Sequence, residues 1–187
     1  MQNIAIFASH NGSGFSAIQN AIIKKQLKLN IALVISNNSK ASVLDKAKNH
    51  NIQTYIVNSK TVQSPDEKMF ALLKEYQCDY IFLSGYMKRL STHLTDNFTI
   101  INSHPSLLPK YGGSGMYGRF VHEAVIDNRE TLSGVTIHQV NGEYDSGKIL
   151  LQKELMVSKD ETVESLECKI KELEALVIVE ALENFIS

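Results

Sequence analysis

Short apolar runs alternate with amphipathic stretches through the first half of the chain. These runs contain few polar positions, which is typical of strands buried on both faces of a sheet. Five strands are predicted, over residues 4–8, 31–35, 53–57, 80–83 and 98–101. The scarcity of polar positions in these runs therefore indicates a sheet whose strands are shielded from water on both sides.

The segments between these runs have helical periodicity. Phe15, Ile18 and Ile22 recur at helical spacing after the first run, and Ser13 is placed to cap that helix. Further helices are predicted over residues 41–50 and 65–76, the second opened by a proline. Strands that alternate with helices predict right-handed crossovers and a parallel sheet with helices on both faces. Ligands are then expected at the carboxyl ends of the strands.

The second half of the chain departs from this alternation. Residues 135–138 and 148–155 predict two strands of an antiparallel hairpin, with Asp145 in its turn region. A helix is predicted over residues 120–127, and a long amphipathic C-terminal helix over residues 161–186. The fold class is thus α/β: a doubly wound, mostly parallel sheet with antiparallel strands near the C-terminal end. Since no linker or repeat interrupts the pattern, we expect residues 1–187 to form a single domain.

Composition narrows the classes of function. The chain has 187 residues, 43% of them hydrophobic, enough for one ordinary core. Its 19 Lys and Arg against 20 Asp and Glu give a formal charge of −1, so we expect neither nucleic acid nor a membrane as a partner. No apolar run has the length of a membrane span or secretion signal. Cys78 and Cys168 form no metal-binding or disulfide pattern, and we expect a cytoplasmic protein.

The loop after the first predicted strand is a candidate anion site. Gly12, Ser13 and Gly14 open the first helix, where free backbone amides and the helix dipole favour a phosphate. Capping of the helix alone also accounts for this composition, and the loop is neither a Walker loop nor a dinucleotide fingerprint. Both interpretations remain open on the sequence.

Asn102 and His104 follow the fifth predicted strand and are candidates for acyl-transfer chemistry. Two residues apart on an extended segment, their side chains point to the same side. Acyl transfer to an amine needs donors for a tetrahedral oxyanion and a group that moves a proton, and an amide and an imidazole supply both. The alternative is a surface histidine or a hydrogen-bonded core histidine.

Asp145 is the candidate carboxylate. Placed near His104, it would raise the proton affinity of the imidazole and keep the imidazolium available for developing negative charge. Asp145 is also a residue type common in ordinary turns. The order of residues along the chain does not decide whether it lies near His104. A metal hydrolase that uses His104, His138 and Asp145 as ligands is a further alternative, but without closely paired ligands we expect no metal.

The segment from Asn102 to Tyr111 resembles the Asn-x-His-Pro-Ser-Leu-Leu-Pro motif of the folate-dependent formyltransferase family. The resemblance covers essentially the whole chain and includes a downstream pattern formed by Gly134, His138, Asp145 and Gly147. It implies transfer of a formyl group from 10-formyltetrahydrofolate, a cosubstrate, to the amine of phosphoribosylglycinamide in de novo purine biosynthesis. The amine of a nucleotide-linked amino sugar is the alternative acceptor. A monomer or homodimer is implied.

The resemblance also implies roles for individual residues. Asn102, His104 and Asp145 would be catalytic, with His104 as proton donor and Asp145 tuning its proton affinity. The folate would contact Met87, Lys88, Arg89, Leu90 and Asn102, although residues 87–90 also fit an ordinary helical turn. The phosphorylated substrate would contact Gly12, Ser13, Gly14 and Glu174, the last through its ribose.

Several positions depart from the family pattern. Ser103 stands where the family usually has an aliphatic residue, Gly14 where it has asparagine, and His10 where it has glycine. No arginine matches a folate contact around residues 62–65, and the C-terminal Glu-His-x-x-Tyr-Pro pattern survives only as Glu174. Substrate identity is therefore less firmly implied than reaction type.

Other activities and roles remain to be separated. Methionyl-tRNA formyltransferases and formyltetrahydrofolate hydrolases would be expected to carry additional domains, so the length of the chain disfavours both. A noncatalytic folate- or nucleotide-binding module would bind without turnover. The glycine-rich residues 111–118 are a candidate mobile cover over the site, or a static cluster of turns.

Overall fold

The structure is a computed structural model and describes residues 1–186. Within these residues, seven strands form a sheet in the order β3-β2-β1-β4-β5-β6-β7. The strands are β1 (Gln2–Phe7), β2 (Leu29–Ser36), β3 (Gln53–Ile56), β4 (Tyr80–Leu83), β5 (Thr99–His104), β6 (Leu132–Gln139) and β7 (Ile149–Met156). The helices are α1 (Ser13–Ile23), α2 (Val43–Asn49), α3 (Pro65–Glu75), α4 (Thr92–Thr95), α5 (Arg119–Asp127) and α6 (Val163–Ile186).

The first of two compact units, Met1–Ile101, is built around β1. Strand β1 pairs in parallel with β2 and β4, and β2 pairs in parallel with β3. Ile4, Ile6 and Phe7 are fully buried, as expected of strands covered on both faces. The parallel order predicted from the apolar runs is confirmed, and it brings the ends of β1 and β4 side by side.

One local prediction in this unit is wrong, and one short element was not predicted. Ser13 does not cap α1: the N-cap is Gly12, in the left-handed conformation, and Ser13 is already helical. The hydroxyl of Ser84, beyond β4, instead accepts a hydrogen bond from the Phe15 amide at 3.3 Å. The short helix α4 was not predicted because one turn is too brief to show apolar periodicity.

The second unit, from Asn102 onward, contains the predicted hairpin and the long helix. Strands β6 and β7 pair antiparallel from Leu132 opposite Met156. Helix α6 packs against both strands and against α5, and Leu166 and Ile170 are among its buried residues. Strand β5 extends further than predicted, so Asn102 and His104 lie within the strand itself.

The fold class predicted from the sequence is confirmed. The sheet is parallel among β1 to β4 and antiparallel at β6 and β7, and the long helix α6 follows the last strand. Within residues 1–186, no helix has both the length and the hydropathy of a membrane span. The single domain over residues 1–187 stays a prediction.

Candidate active site

Strand β5 holds three neighbouring polar side chains in the second unit. Because successive side chains on a strand point to opposite faces, Asn102 and His104 share one face and Ser103 has the other. The imidazole of His104 is buried, with 4% of the residue exposed. The strand therefore presents an amide and an imidazole together.

The two ring nitrogens of His104 have different partners. Its Nδ1 lies 3.6 Å from Asp145 Oδ2, and its Nε2 lies 2.7 Å from the carbonyl oxygen of Tyr111. A carbonyl can only accept, so this short contact assigns the proton to Nε2 in the neutral ring. The lone pair on Nδ1 then faces the carboxylate of Asp145. A proton gained at Nδ1 would convert that repulsion into an ion pair.

The protonation state of His104 differs from the expectation, whereas that of Asp145 agrees with it. Burial lowers the pKa of His104 below its ordinary value, although Asp145 and the Tyr111 carbonyl act to raise it. The effect of Asp145 has the predicted sign, but burial outweighs it, and the resting imidazole is neutral at neutral pH. Burial alone would raise the pKa of Asp145, yet its neighbours His138 and His104 and the backbone amide of Gly113 lower it, so the carboxylate is ionised.

His138 on β6 connects the amide with the carboxylate. Its Nδ1 lies 2.9 Å from the carbonyl oxygen of Gln139, which assigns a proton to that nitrogen. Its Nε2 lies 3.2 Å from Asn102 Nδ2 and 3.5 Å from Asp145 Oδ1. In the neutral ring Nε2 accepts from the amide, which leaves the second amide hydrogen of Asn102 available. The sequence placed His138 in a motif, but only the paired strands β6 and β7 reveal this bridging position.

Backbone geometry at residues 111–113 also holds the carboxylate and the imidazole. The amide of Gly113 donates to Asp145 Oδ2 at 2.9 Å. Tyr111 and Asp145 both have positive φ, 55° and 51°, a conformation that is uncommon for residues other than glycine. The phenol of Tyr111 donates to Glu130 at 2.9 Å. The first residues of the glycine-rich loop are thus tied to the site, while its role as a cover stays a prediction.

Glu174 on α6 is joined to Ser103. The Ser103 hydroxyl donates to Glu174 Oε1 at 2.6 Å. Burial raises the pKa of Glu174, and the hydrogen bond from Ser103 and the charge of Lys171 oppose that rise. Both Ser103 and Glu174 were singled out on the sequence, but nothing in the sequence predicted their contact.

In the first unit, the loop at Gly12 has the geometry of a helix N-terminus. No hydrogen bond to the amides of Ser13 or Gly14 is found among the described residues. Gly14 packs tightly, since a Cβ added there would lie 2.7 Å from the Phe82 ring and 2.9 Å from Ser84 Oγ. The space that a side chain at position 14 would need is therefore occupied by Phe82 and Ser84.

A lysine that the sequence did not single out lies beside this loop. The ammonium of Lys46 donates to the side-chain oxygen of Asn11 at 2.7 Å and to its carbonyl at 2.9 Å. It brings positive charge next to the turn that opens α1. His10, for which contact with an anion or with solvent were both possible, is exposed.

Residues 87–90 form an open loop after β4, and the alternative of an ordinary helical turn is wrong. Met87, Lys88 and Arg89 are exposed and Leu90 is buried. The amide of Met87 donates to the Ser9 hydroxyl at 2.8 Å, and the Ser9 amide donates to the carbonyl of Gly85 at 3.2 Å. Ser9 thus connects the end of β1 with this segment.

The predicted residues fall into three local groups. Asn102, His104 and Asp145 are brought together in the second unit, where Glu174 contacts Ser103. The loop at Gly12 to Gly14 and residues 87–90 belong to the first unit. Among residues 1–186, no set of three His, Cys, Asp or Glu side chains is arranged to hold a metal ion. The individual roles of these residues stay predictions.

Comparison with known proteins identifies relatives that align with nearly the whole chain. The chloroplastic phosphoribosylglycinamide formyltransferase of Vigna unguiculata is 34% identical over 188 residues, covering 97% of this chain and 60% of the relative. The trifunctional purine biosynthetic protein adenosine-3 of Bos taurus is 32% identical over 185 residues, covering 96% of this chain and 18% of the relative. The chain thus spans about 60% of the plant protein and less than a fifth of the bovine one.

A solved structure extends the likeness to three dimensions. Phosphoribosylglycinamide formyltransferase from Bacillus halodurans has a TM-score of 0.91 and 31% identity, with 100% of this chain and 96% of that chain covered. The sequence-based resemblance to such enzymes is confirmed by these relatives. The family model described as Formyl transferase matches residues 2–182. On that match the chain belongs to the formyl transferase family.

Proposed function

We propose that the chain transfers a formyl group from 10-formyltetrahydrofolate to the amine of phosphoribosylglycinamide, a step of de novo purine biosynthesis. The observation that carries the proposal is the linked set Asn102, His104, His138 and Asp145, which joins an amide donor to a proton-accepting imidazole. Family membership and the activity named for the relatives support the same reaction.

The reaction moves one proton as well as the formyl group. The substrate amine attacks the formyl carbon, and the carbonyl oxygen becomes an oxyanion. The amine then loses a proton and N10 of the folate gains one as the carbon–N10 bond breaks. A neutral His104 suits this transfer, because its Nδ1 can take the proton from the amine against the ionised Asp145 and return it to N10.

The amide of Asn102 is suited to the developing oxyanion. One of its hydrogens is directed to His138, which fixes the orientation of the amide plane. The other is free to donate to the tetrahedral intermediate, where a prearranged donor is worth more than in water. We therefore assign Asn102, His104 and Asp145 as catalytic residues.

The remaining predicted residues fit the two substrates. The amides at Ser13 and Gly14, with the ammonium of Lys46 nearby, suit the phosphate of the ribonucleotide. Glu174 supplies an acceptor for ribose hydroxyls. The loop of residues 87–90, in which Met87, Lys88 and Arg89 are exposed, is suited to contact the folate. The reaction needs no metal, and we propose a cytoplasmic enzyme, a monomer or homodimer, without nucleic acid or membrane partners.

The test is a direct assay of formyl transfer. Purified protein is incubated with 10-formyltetrahydrofolate and either phosphoribosylglycinamide or a nucleotide-linked amino sugar, and release of tetrahydrofolate and the formylated product are measured. Product only with phosphoribosylglycinamide supports the proposal. Product only with the amino sugar identifies the alternative acceptor. Tight binding of both substrates without turnover would identify a noncatalytic binding module.

A further inference from the structure

Ser103 on β5 and Glu174 on α6 meet in one hydrogen bond. The hydroxyl of Ser103 lies 2.6 Å from Glu174 Oε1, the short distance typical of a hydrogen bond to an ionised carboxylate. An aliphatic side chain at position 103 would leave that oxygen without this donor.

The carboxyl group of Glu174 retains capacity to accept further hydrogen bonds. A carboxylate offers about four acceptor positions, and the contact with Ser103 uses one of them. No other hydrogen bond to the carboxyl group of Glu174 is found among residues 1–186. Placing a carboxylate in a partly buried position is costly, and an apolar residue would fill the same space at lower cost. An oriented acceptor with spare capacity suits a ligand that brings hydroxyl donors.

We infer that Ser103 is a positioning residue that fixes the Glu174 carboxylate for hydrogen bonds with the vicinal hydroxyls of a sugar. The inference rests on the proposed function, in which that sugar is the ribose of phosphoribosylglycinamide. Ser103 itself points to the face of β5 opposite Asn102 and His104, so it acts on substrate binding rather than on the chemical step. Its loss should therefore weaken binding of one substrate.

The same hydrogen bond favours the ionised form of Glu174. Burial raises the pKa of Glu174, and the Ser103 hydroxyl and Lys171 act against that rise. Other charged groups on the elements packed against α6 pair with carboxylates other than Glu174. Lys153 forms an ion pair with Glu180, and Arg119 forms one with Glu164. The charge of Glu167 acts to raise the pKa of His122. Without the hydroxyl, the pKa of Glu174 would rise further, and the acceptor would be lost at a higher pH.

A matched pair of variants tests the inference. Ser103→Thr keeps the hydroxyl and Ser103→Val replaces it with a methyl group of nearly the same shape. Calorimetric titration with phosphoribosylglycinamide alone gives the Kd for each variant between about pH 4.5 and 7.5, a range that begins near the ordinary pKa of a glutamate and extends above it. We expect Ser103→Val to raise Kd roughly tenfold at neutral pH, and Ser103→Thr to remain close to the wild type.

The pH dependence and the kinetics separate a positioning role from a packing role. In Ser103→Val the loss of affinity on acidification should begin at a higher pH than in the wild type, whereas Glu174→Gln should bind weakly at every pH. The KM for the folate and the kcat at saturation should stay within about twofold. Ser133→Ala, which removes a buried hydroxyl with no hydrogen-bond partner in the described residues, is the control and should change none of these values.

The outcomes distinguish this inference from the proposed function. If the wild type forms no product from phosphoribosylglycinamide, the proposed function fails and the inference fails with it. If the wild type is active but Ser103→Val binds as tightly as Ser103→Thr, only the inference is overturned. Equal losses in kcat and in the KM of both substrates would also overturn it, because they indicate a general disturbance of β5.

Discussion

Asn102 on β5 and His138 on β6 lie close together in the second unit, with Asn102 Nδ2 3.2 Å from His138 Nε2. The tautomer of His138 is set by the carbonyl of Gln139, so the imidazole accepts from the amide and not the reverse. A histidine outside the predicted catalytic trio thus decides which way the Asn102 amide faces. The same imidazole lies 3.5 Å from Asp145 Oδ1, so Asn102, His138, Asp145 and His104 form one linked set.

Replacing His138 tests its role in orienting the amide. In His138→Ala, Asn102 loses the acceptor that fixes its amide plane, and we expect kcat to fall about tenfold or more with little change in either KM. Steady-state kinetics with both substrates varied measure the effect. His122→Ala is the control for loss of a buried imidazole, and it should affect stability more than kcat. A selective rise in KM would contradict the orienting role.

Replacing His104 tests the proton transfer itself. We expect His104→Ala to lower kcat by about 100-fold to 1000-fold, because both the proton acceptor and a polar group beside the oxyanion are removed. Circular dichroism and thermal unfolding should show a folded protein. Activity near that of the wild type would refute the assignment of His104.

The sequence predicted the fold and the candidate residues better than it predicted their contacts. The apolar runs located the buried strands, and the motif at Asn102 located the site, because both are local signals. Asp145 lies far along the chain, and its approach to His104 depends on how β5, β6 and β7 pair, which residue order alone does not specify. The capping of α1 by Ser84 was missed for the same reason: a residue far in sequence competes with Ser13.

The proton affinity of His104 shows a different limit of sequence reasoning. The sign of the effect of Asp145 follows from its charge, and that part of the expectation was correct. The magnitude of the opposing effect depends on burial of the imidazole, which becomes known only in three dimensions. The net direction of the pKa shift was therefore wrong in the sequence-based expectation, and the resting imidazole is neutral.

The direction of the His104 pKa shift predicts how activity depends on pH. Because the pKa of His104 lies below its ordinary value, kcat should be level at neutral pH and fall on acidification as the imidazole becomes protonated. Asp145→Asn removes a charge that raises the pKa of His104, so the midpoint of this acid limb should move to lower pH while kcat falls overall. Profiles of kcat between pH 5 and 8, about three units around the ordinary value, measure the shift. A midpoint that moves to higher pH would contradict the assignment.

The lysine beside the first loop predicts a selective effect on one substrate. Lys46→Ala removes positive charge beside Asn11, in the turn that precedes Ser13 and Gly14, so the KM for phosphoribosylglycinamide should rise several-fold, about three to ten, at low salt. The KM for the folate and kcat should not change. Lys48→Ala removes a charge of the same sign from the same helix, where it contacts Asp45, and is the matched control. Equal effects of the two variants would indicate that binding depends on the overall positive charge of the helix and not on the position of Lys46.

Close packing at Gly14 predicts a change in stability. A Cβ at this position would lie 2.7 Å from the Phe82 ring and 2.9 Å from Ser84 Oγ, distances at which one of these groups must move. We expect Gly14→Ala to lower the free energy of unfolding by about 1 to 3 kcal/mol, the usual cost of overpacking a buried position, although alanine favours helix over glycine.

A double-mutant cycle assigns the cause of that loss. Phe82→Leu creates space beside Gly14, so the double variant should lose less stability than the sum of the two single variants, measured by urea unfolding. Asn20→Ala, at an exposed position of α1, controls for helix propensity and should be neutral or slightly stabilising. If the two changes are additive, the Phe82 ring is not what excludes a side chain at position 14.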